Sequence, residues 1–183
     1  MRVITGIARG RKLQTPSGND IRPTTDTVKE AVFSIIQFGI EGRAFLDAYA
    51  GSGQMGIEAL SRGAERAVFL DSSRQACETV RKNLEATGLS ENAVVRNTDT
   101  LSYISGVTER FDIVFIDPPY RTGLLRKTLE KVSGIMNTGG VIICEHPVDE
   151  AVPQETGDFV LKKNYKYGKI IITVYSHKEV LGV

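Results

Sequence analysis

Two stretches of the chain hold residues whose types and spacing could do chemistry. The first, DAYAGSGQMG at 47–56, contains Gly51-Ser52-Gly53-Gln54-Met55-Gly56. Small residues at such a loop let a ligand approach backbone amides at the start of a helix. With Asp71 about 20 positions beyond Gly51, the spacing fits a dinucleotide fingerprint in which the acid holds a ribose hydroxyl. Asp47, just ahead of the loop, points elsewhere. A carboxylate aimed into the crevice repels a pyrophosphate and attracts an ammonium. The second stretch is Asp117-Pro118-Pro119-Tyr120, directly after the apolar run Phe111 to Ile116. Its two prolines fix the backbone and remove two amide donors, leaving their carbonyls as free acceptors. Asp117 adds acceptors and Tyr120 an aromatic face. Such a turn suits a planar base with an exocyclic amine, its ring on Tyr120 and its N–H donors on Asp117 and the Pro118 carbonyl.

Both stretches need a scaffold that brings them together. From Phe45 onward, short β-branched runs alternate with helical patterns, the mark of βαβ units and a parallel sheet. Strands are expected at 44–47, 67–71, 93–97, 112–116 and 140–145, with helices at about 54–62, 73–87, 100–105 and 122–135. The carboxyl ends of parallel strands line the binding crevice. Asp47, Asp71 and Asp99 end or follow three of these strands, so they converge there. Asp71 can accept from two ribose hydroxyls and Asp99 from the amine of an adenine. S-adenosylmethionine has an adenosine and an ammonium and no phosphate, and it answers all three acids. Residues 159–175 read as an antiparallel hairpin around Gly168. Residues 1–22 form a basic β-hairpin arm turning near Gly10. Residues 23–43 lead into the core with a helix, for which Thr27 and Glu30 make a capping box and Val28, Ala31, Val32, Ile35 and Ile36 one apolar stripe. Residues 44–183 are the cofactor-binding catalytic core of a single domain.

Composition sets bounds on this reading. In 183 residues, 41% hydrophobic and 25% charged, the chain has the make-up of a soluble globular domain. No run of signal-peptide or membrane-spanning length occurs, so a cytoplasmic protein with no membrane partner is expected. Cys77 and Cys144 stand without a C-x-x-C or metal-ligand spacing, and both are expected to be buried, with no metal site. His146 and His177 are expected to be structural. The net charge of +1 conceals Arg2, Arg9, Arg11, Lys12 and Arg22 against Asp20 alone, and a second patch of Lys162, Lys163, Lys166 and Lys169. Clustered cations of this kind can neutralise nucleic-acid phosphates.

DPPY after the fourth strand, with DAYAGSGQMG before it, resembles class I S-adenosylmethionine-dependent amino-methyltransferases acting on nucleic-acid bases. ITGIARGRKL, RPTTDTVKEAVFSII, GIEALSRGA and KYGKIIITVY extend the likeness over almost the whole chain. Together they resemble the bacterial 16S ribosomal RNA guanine-N2 methyltransferases. The resemblance implies an α/β, Rossmann-like methyltransferase fold: a seven-stranded, mostly parallel sheet with an antiparallel C-terminal hairpin and a small N-terminal β-hairpin arm. It implies that Asp47, Ala50, Gly51, Ser52, Gly53, Asp71, Ser72, Asp99 and Thr100 hold the cofactor, and that Asp117, Pro118, Pro119 and Tyr120 hold the guanine. Arg9, Arg11, Lys12, Arg22, Thr24, Lys166 and Tyr167 would meet RNA. The segment Arg22 to Asp26 would lie beside both cofactor and base. Tyr49 stands where relatives often have Phe, which keeps the ring. The implied partner of a monomeric enzyme is 16S rRNA, within a small ribosomal subunit or an assembly intermediate.

The implied reaction is direct displacement by the guanine N2, with no metal and no covalent enzyme intermediate. An aspartate of ordinary pKa, about 3.9, is too weak a base to deprotonate the amine before attack. Asp117 is therefore expected to act by electrostatics and orientation. A DNA adenine-N6 methyltransferase could use the same turn, but the short stretch ahead of the core is little for a DNA-reading domain. A nicotinamide-dependent oxidoreductase lacks a visible hydride-transfer His or Lys site. A non-catalytic RNA-binding module is opposed by the complete Asp117 to Tyr120 set.

Overall fold

A computed structural model describes residues 1–16 and 25–182. Its eight strands are β1 (Ala44–Asp47), β2 (Arg66–Asp71), β3 (Ala93–Asn97), β4 (Phe111–Ile116), β5 (Met136–Pro147), β6 (Glu155–Thr156), β7 (Phe159–Tyr167) and β8 (Ile170–His177). They form one sheet in the order β3-β2-β1-β4-β5-β8-β7-β6. The five strands from β3 to β5 are parallel; β8, β7 and β6 are antiparallel to their neighbours. The fold class is as expected, with one strand more than the seven implied. The addition is the two-residue β6, which pairs along part of β7.

The central strands are buried on both faces and so read as continuous apolar runs. One face carries Phe45, Phe69, Ile113, Phe115 and Ile143 beneath α1 (Asp26–Ile36), α2 (Gln54–Ser61) and α3 (Arg74–Thr87). The other carries Leu46, Val68, Val114 and Ile142 beneath α4 (Thr100–Gly106) and α5 (Leu124–Val132). A short α6 (Lys178–Leu181) follows β8. Side chains alternate along a strand. Asp47 therefore shares the face of Phe45, Asp71 that of Phe69, Asp117 that of Phe115, and Glu145 that of Ile143. Four acids reach the carboxyl edge of the sheet on its α1–α2–α3 side.

Two expectations for the lead-in segment are corrected. The cap of α1 is Thr25, whose hydroxyl accepts from the Val28 amide at 3.3 Å, so Thr27 lies inside the first turn and the capping box with Glu30 does not form. The apolar stripe is rotated: Val28, Val32 and Ile36 are buried with Lys29 and Phe33, while Ala31 and Ile35 are only partly covered. Lys29 is fully buried, donating to the Arg2 carbonyl at 2.6 Å beside Asp26 at 3.8 Å. Its burial pushes the ammonium pKa down against the opposing pull of Glu58 and Asp26.

The N-terminal arm is a short hairpin, as expected: Arg2 and Lys12 form an antiparallel bridge, the Val3 amide donates to the Arg11 carbonyl at 2.9 Å, the Gly10 amide to the Val3 carbonyl at 2.9 Å and the Leu13 amide to the Met1 carbonyl at 3.2 Å, with Gly10 in the left-handed region at φ +82°. Other backbone donors of the arm go to α2. The Glu58 carboxylate, 0% exposed, accepts from the Ile4 amide at 2.7 Å and the Thr5 amide at 2.9 Å, and from Arg62 at 2.8 Å. The Ser61 carbonyl and hydroxyl accept from the Ile7 and Ala8 amides at 2.9 and 3.0 Å. The arm is thus docked along one helix while Arg9, Arg11 and Lys12 stay exposed.

Removing one member of a buried ionic group leaves the others unpaired, at about 3 kcal/mol or more. Glu58→Ala is expected to lower stability by about 3 kcal/mol in urea denaturation. Glu58→Gln, which keeps one acceptor oxygen, should lose clearly less.

Candidate active site

At the carboxyl edge of the sheet the loops after β1, β2, β3 and β4 enclose a cavity of ≈ 380 Å³. Asp47, Ala50, Gly51, Ser52, Asp71, Ser72, Asp99 and Thr100 line it, and so do Asp117, Pro118, Pro119 and Tyr120. The structure brings together in one cavity every sequence-expected cofactor residue except Gly53, and the whole Asp-Pro-Pro-Tyr turn. Gly53 acts from behind: at φ +77° it opens α2, and a Cβ there would lie 3.0 Å from Val80. Gly51, at φ +54°, has nothing within 4 Å of where a Cβ would stand, so its backbone faces open space.

The acids are held in different ways. Asp47, 1% exposed, accepts from the Gly56 amide in the first turn of α2 at 3.1 Å. Its pKa is pushed up to about 7, chiefly by burial, with the Gly56 N–H opposing and the negative charge of Asp71 adding to the rise. A carboxyl so desolvated gains most from a cation placed beside it. Asp71 accepts from the Gly51 amide at 2.9 Å through one oxygen and from the Ser73 amide at 2.8 Å through the other, which pins it across the crevice. Asp99 caps α4, its Oδ1 accepting from the Ser102 amide at 2.8 Å. Thr100 donates to the Ala48 carbonyl at 2.5 Å and ties α4 to the end of β1.

The turn after β4 departs from expectation in one respect. The Pro119 carbonyl is not free, because it accepts from the Thr122 hydroxyl at 2.7 Å. Pro118 is left as the candidate carbonyl for a ligand. The Tyr120 hydroxyl donates to Oε1 of Glu145 at 2.9 Å, and Glu145 is 3% exposed. Sequence reasoning assigned Glu145 no role. Its signal was the same as that of the other acids, a carboxylate at the carboxyl end of a core strand. Gln54, Met55, Phe115 and Leu124 also line the cavity and were not singled out, nor was Tyr49 as a lining residue. The Tyr49 hydroxyl is 2.7 Å from the Thr128 hydroxyl of α5.

The described residues expected to meet RNA lie on two elements, the arm and β7. Arg9, Arg11 and Lys12 are exposed on the arm. The arm's ends approach the glycine loop: the Ser52 hydroxyl donates to the Met1 sulfur at 3.3 Å, and Asn83 donates to both the Gln14 and Ser52 carbonyls at 2.9 Å. Lys166 and Tyr167, adjacent in β7, point to opposite faces of the sheet. Arg22 and Thr24 lie outside the described residues. Both cysteines are buried, His146 lies 2.8 Å from the Thr173 hydroxyl, and His177 accepts from the Glu179 amide as the cap of α6. Among the described residues no acid, His or Cys cluster could hold a metal ion, and no helix is long and apolar enough to cross a membrane.

With this geometry in view, the likeness to known proteins is specific. Residues 1–176 match a family model described as conserved hypothetical protein 95. The chain is 34% identical over 180 residues to ribosomal RNA small subunit methyltransferase D of Escherichia coli, covering 97% of this chain and 90% of that one. The chain belongs to this family. The YlbH protein of Bacillus subtilis is 36% identical over 183 residues, covering 97% of this chain and 100% of its own. The solved structure of the yhhF protein of Escherichia coli superposes with a TM-score of 0.85 at 35% identity, over 97% of each chain.

The raised pKa of Asp47 has a consequence for stability. Between the unfolded carboxyl value of 3.8 and the folded value of about 7, the folded chain holds a proton that the unfolded chain has lost. The free protein should therefore lose stability as pH rises from about 4 to about 7 and then level off, by on the order of 4 kcal/mol from this group. Asp47→Asn should remove that slope, read as the difference between the two proteins in urea midpoints from pH 5 to pH 8. Parallel pH profiles would refute it.

Proposed function

We propose that this protein transfers a methyl group from S-adenosylmethionine to the exocyclic N2 of a guanine in 16S ribosomal RNA. One observation carries the reading: a buried, cation-seeking Asp47 and an Asp-Pro-Pro-Tyr turn share a single cavity. The residues present fit the cofactor. Asp47 takes the ammonium of its amino-acid part. Gly51 and Ser52, whose backbone borders the open space, and Ala50 pass along it. Asp71, oriented by two amides, takes the ribose hydroxyls with Ser72 beside it. Asp99 offers its second oxygen to the adenine amine, and Thr100 holds that loop in place. Bound there, the cofactor supplies an electrophilic methyl on a sulfonium, so that a nitrogen–carbon bond forms as the sulfur–carbon bond breaks.

The protein's part is to make a poor nucleophile adequate. The lone pair of an exocyclic amine is delocalised into its ring. Asp117 and the Pro118 carbonyl accept the two N2–H bonds, which favours a pyramidal nitrogen and stabilises the positive charge developing on it. Tyr120, steadied by Glu145, stacks on the base. After the transfer the nitrogen is cationic, and its extra proton passes to solvent water. Relatives named for ribosomal RNA small-subunit methylation support RNA over DNA as the substrate. The docked basic arm supports a structured RNA partner.

Labelled S-adenosylmethionine incubated with unmodified small-subunit particles, free rRNA and DNA should leave its label on a guanine of 16S rRNA, mapped by mass spectrometry. Label on adenine in DNA overturns the reading. Asp117→Ala should still bind the cofactor in calorimetry while turnover falls roughly 1000-fold, and undiminished turnover refutes its role.

A further inference from the structure

We propose that the groove between α1 and the β7–β8 hairpin holds a single-stranded stretch of the RNA substrate beside the target base. The inference rests on the function proposed above and adds where the RNA lies. The groove encloses ≈ 710 Å³ and is lined by Phe38, Arg43, Lys162, Lys163, Tyr165 and Tyr167, among others. Single-stranded nucleic acid is held by this pairing of cations along a backbone track with aromatic faces on which bases stack. Phe38, just past α1, is 97% exposed, a bare aromatic ring at the groove's far end. Tyr165 and Tyr167 are half-buried, with Lys163 Nζ 4.9 Å above the Tyr165 ring. Lys162 and Lys163 are exposed. The acid in the groove, Asp112, is already engaged by Arg43 at 3.2 Å, Asn137 at 3.0 Å and the Ala44 amide at 2.9 Å. The balance of charge is positive, complementary to phosphate.

Strand register sets the groove beside the candidate active site. Glu145, which holds Tyr120, pairs with Ile172, and Ile172 pairs with Tyr165. One step nearer the carboxyl edge, Pro147 pairs with Ile170 and Ile170 with Tyr167. Asp117, Glu145, Tyr165 and Tyr167 thus lie on one face of the sheet, in adjoining rows. From Tyr167 at the site edge to Lys162 the track runs about 17 Å along β7. A base seated on Tyr120 therefore has its neighbours in the chain directed onto aromatic and cationic side chains.

The test uses the full chain. Lys162→Glu with Lys163→Glu changes two exposed side chains. With unmodified small-subunit particles it should raise KM roughly tenfold or more, leaving kcat and cofactor affinity within about twofold. Lys82→Glu with Lys127→Glu imposes the same charge change on α3 and α5 and should stay near wild type. An unchanged KM in the groove variant, or an equal rise in the control, overturns the proposal. A photoreactive phenylalanine analogue at position 38 should crosslink to particle RNA. Crosslinks to ribosomal protein alone overturn it. Binding of a labelled single-stranded RNA oligonucleotide needs no turnover, so it separates the two readings. If wild type methylates no rRNA while the groove variant still binds the oligonucleotide roughly tenfold more weakly, the function fails and the groove stands. Equal binding by wild type and variant sinks the groove.

Discussion

The carboxylate of Asp47 reaches from the end of β1 to the Gly56 amide in the first turn of α2, and the glycine-loop half of the cavity takes its place from that contact. A helix leaves its first amides without internal partners and carries partial positive charge at that end. The cap residue of α2 is Gly53, which has no side chain to supply an acceptor. The preceding strand supplies one instead. Gly56 completes the joint, since a Cβ there would stand 2.3 Å from the Phe69 ring. The helix can therefore settle directly on β2, and the loop between strand and helix is left open to a ligand. The same closeness is why Asp47 is desolvated and holds its proton up to about pH 7. The geometry that builds the loop also leaves in it an acid that a cation would ionise.

Much of this was legible because the informative residues lie at strand ends. A core strand covered on both faces is apolar through its buried middle, so the acid at its carboxyl end marks both its end and the crevice. Asp47, Asp71 and Asp117 are read that way, and β1 and β3 fall within the expected bounds. What escaped depends on contacts distant in sequence. The arm reads as a hairpin and pairs as one, yet its docking through the Ile4, Thr5 and Ala8 amides onto Glu58 and Ser61 shows in a helical pattern only as two polar positions of α2. Thr25 and Thr27 are equally good caps by residue type, and it is Thr25 that accepts from the helix. The buried Lys29 was not singled out by the helical pattern, and its partner, the Arg2 carbonyl, lies far from it in sequence. Adjacent Lys166 and Tyr167 suggest one patch until the pleat assigns them to opposite faces. The two-residue β6 is too short to have a period.

The turn after β4 is held from the strand beside it. Tyr120 donates to Glu145 at the end of β5, and Arg121 pairs with Asp149 at 2.7 Å in the segment that follows. Arg121 has φ +60°, a conformation that costs a residue with a side chain about 1 kcal/mol or more. That backbone persists because anchors lie on both sides of it, with Thr122 closing back onto the Pro119 carbonyl. Two prolines stiffen the first half of the turn and side-chain contacts stiffen the second. The surface proposed to receive the base is thus already formed.

Sheet order divides the labour. β1 and β4 are neighbours, with β2 and β3 on one side and β5, β8 and β7 on the other. Ligands of open α/β sheets bind where strand order reverses in this way. The acids suited to an adenosine and an ammonium, Asp47, Asp71 and Asp99, all follow strands on the first side. The groups suited to an amino-bearing base, Asp117, Tyr120 and Glu145, come from β4 and β5. Asp47 pairs in register with Phe115, two residues before Asp117, so the two sets face each other across one strand boundary. A methyl donor and its acceptor held on opposite sides of that boundary have a short path between them. The antiparallel hairpin then extends only the acceptor side, where a polymer substrate, unlike a small cofactor, has more chain to place.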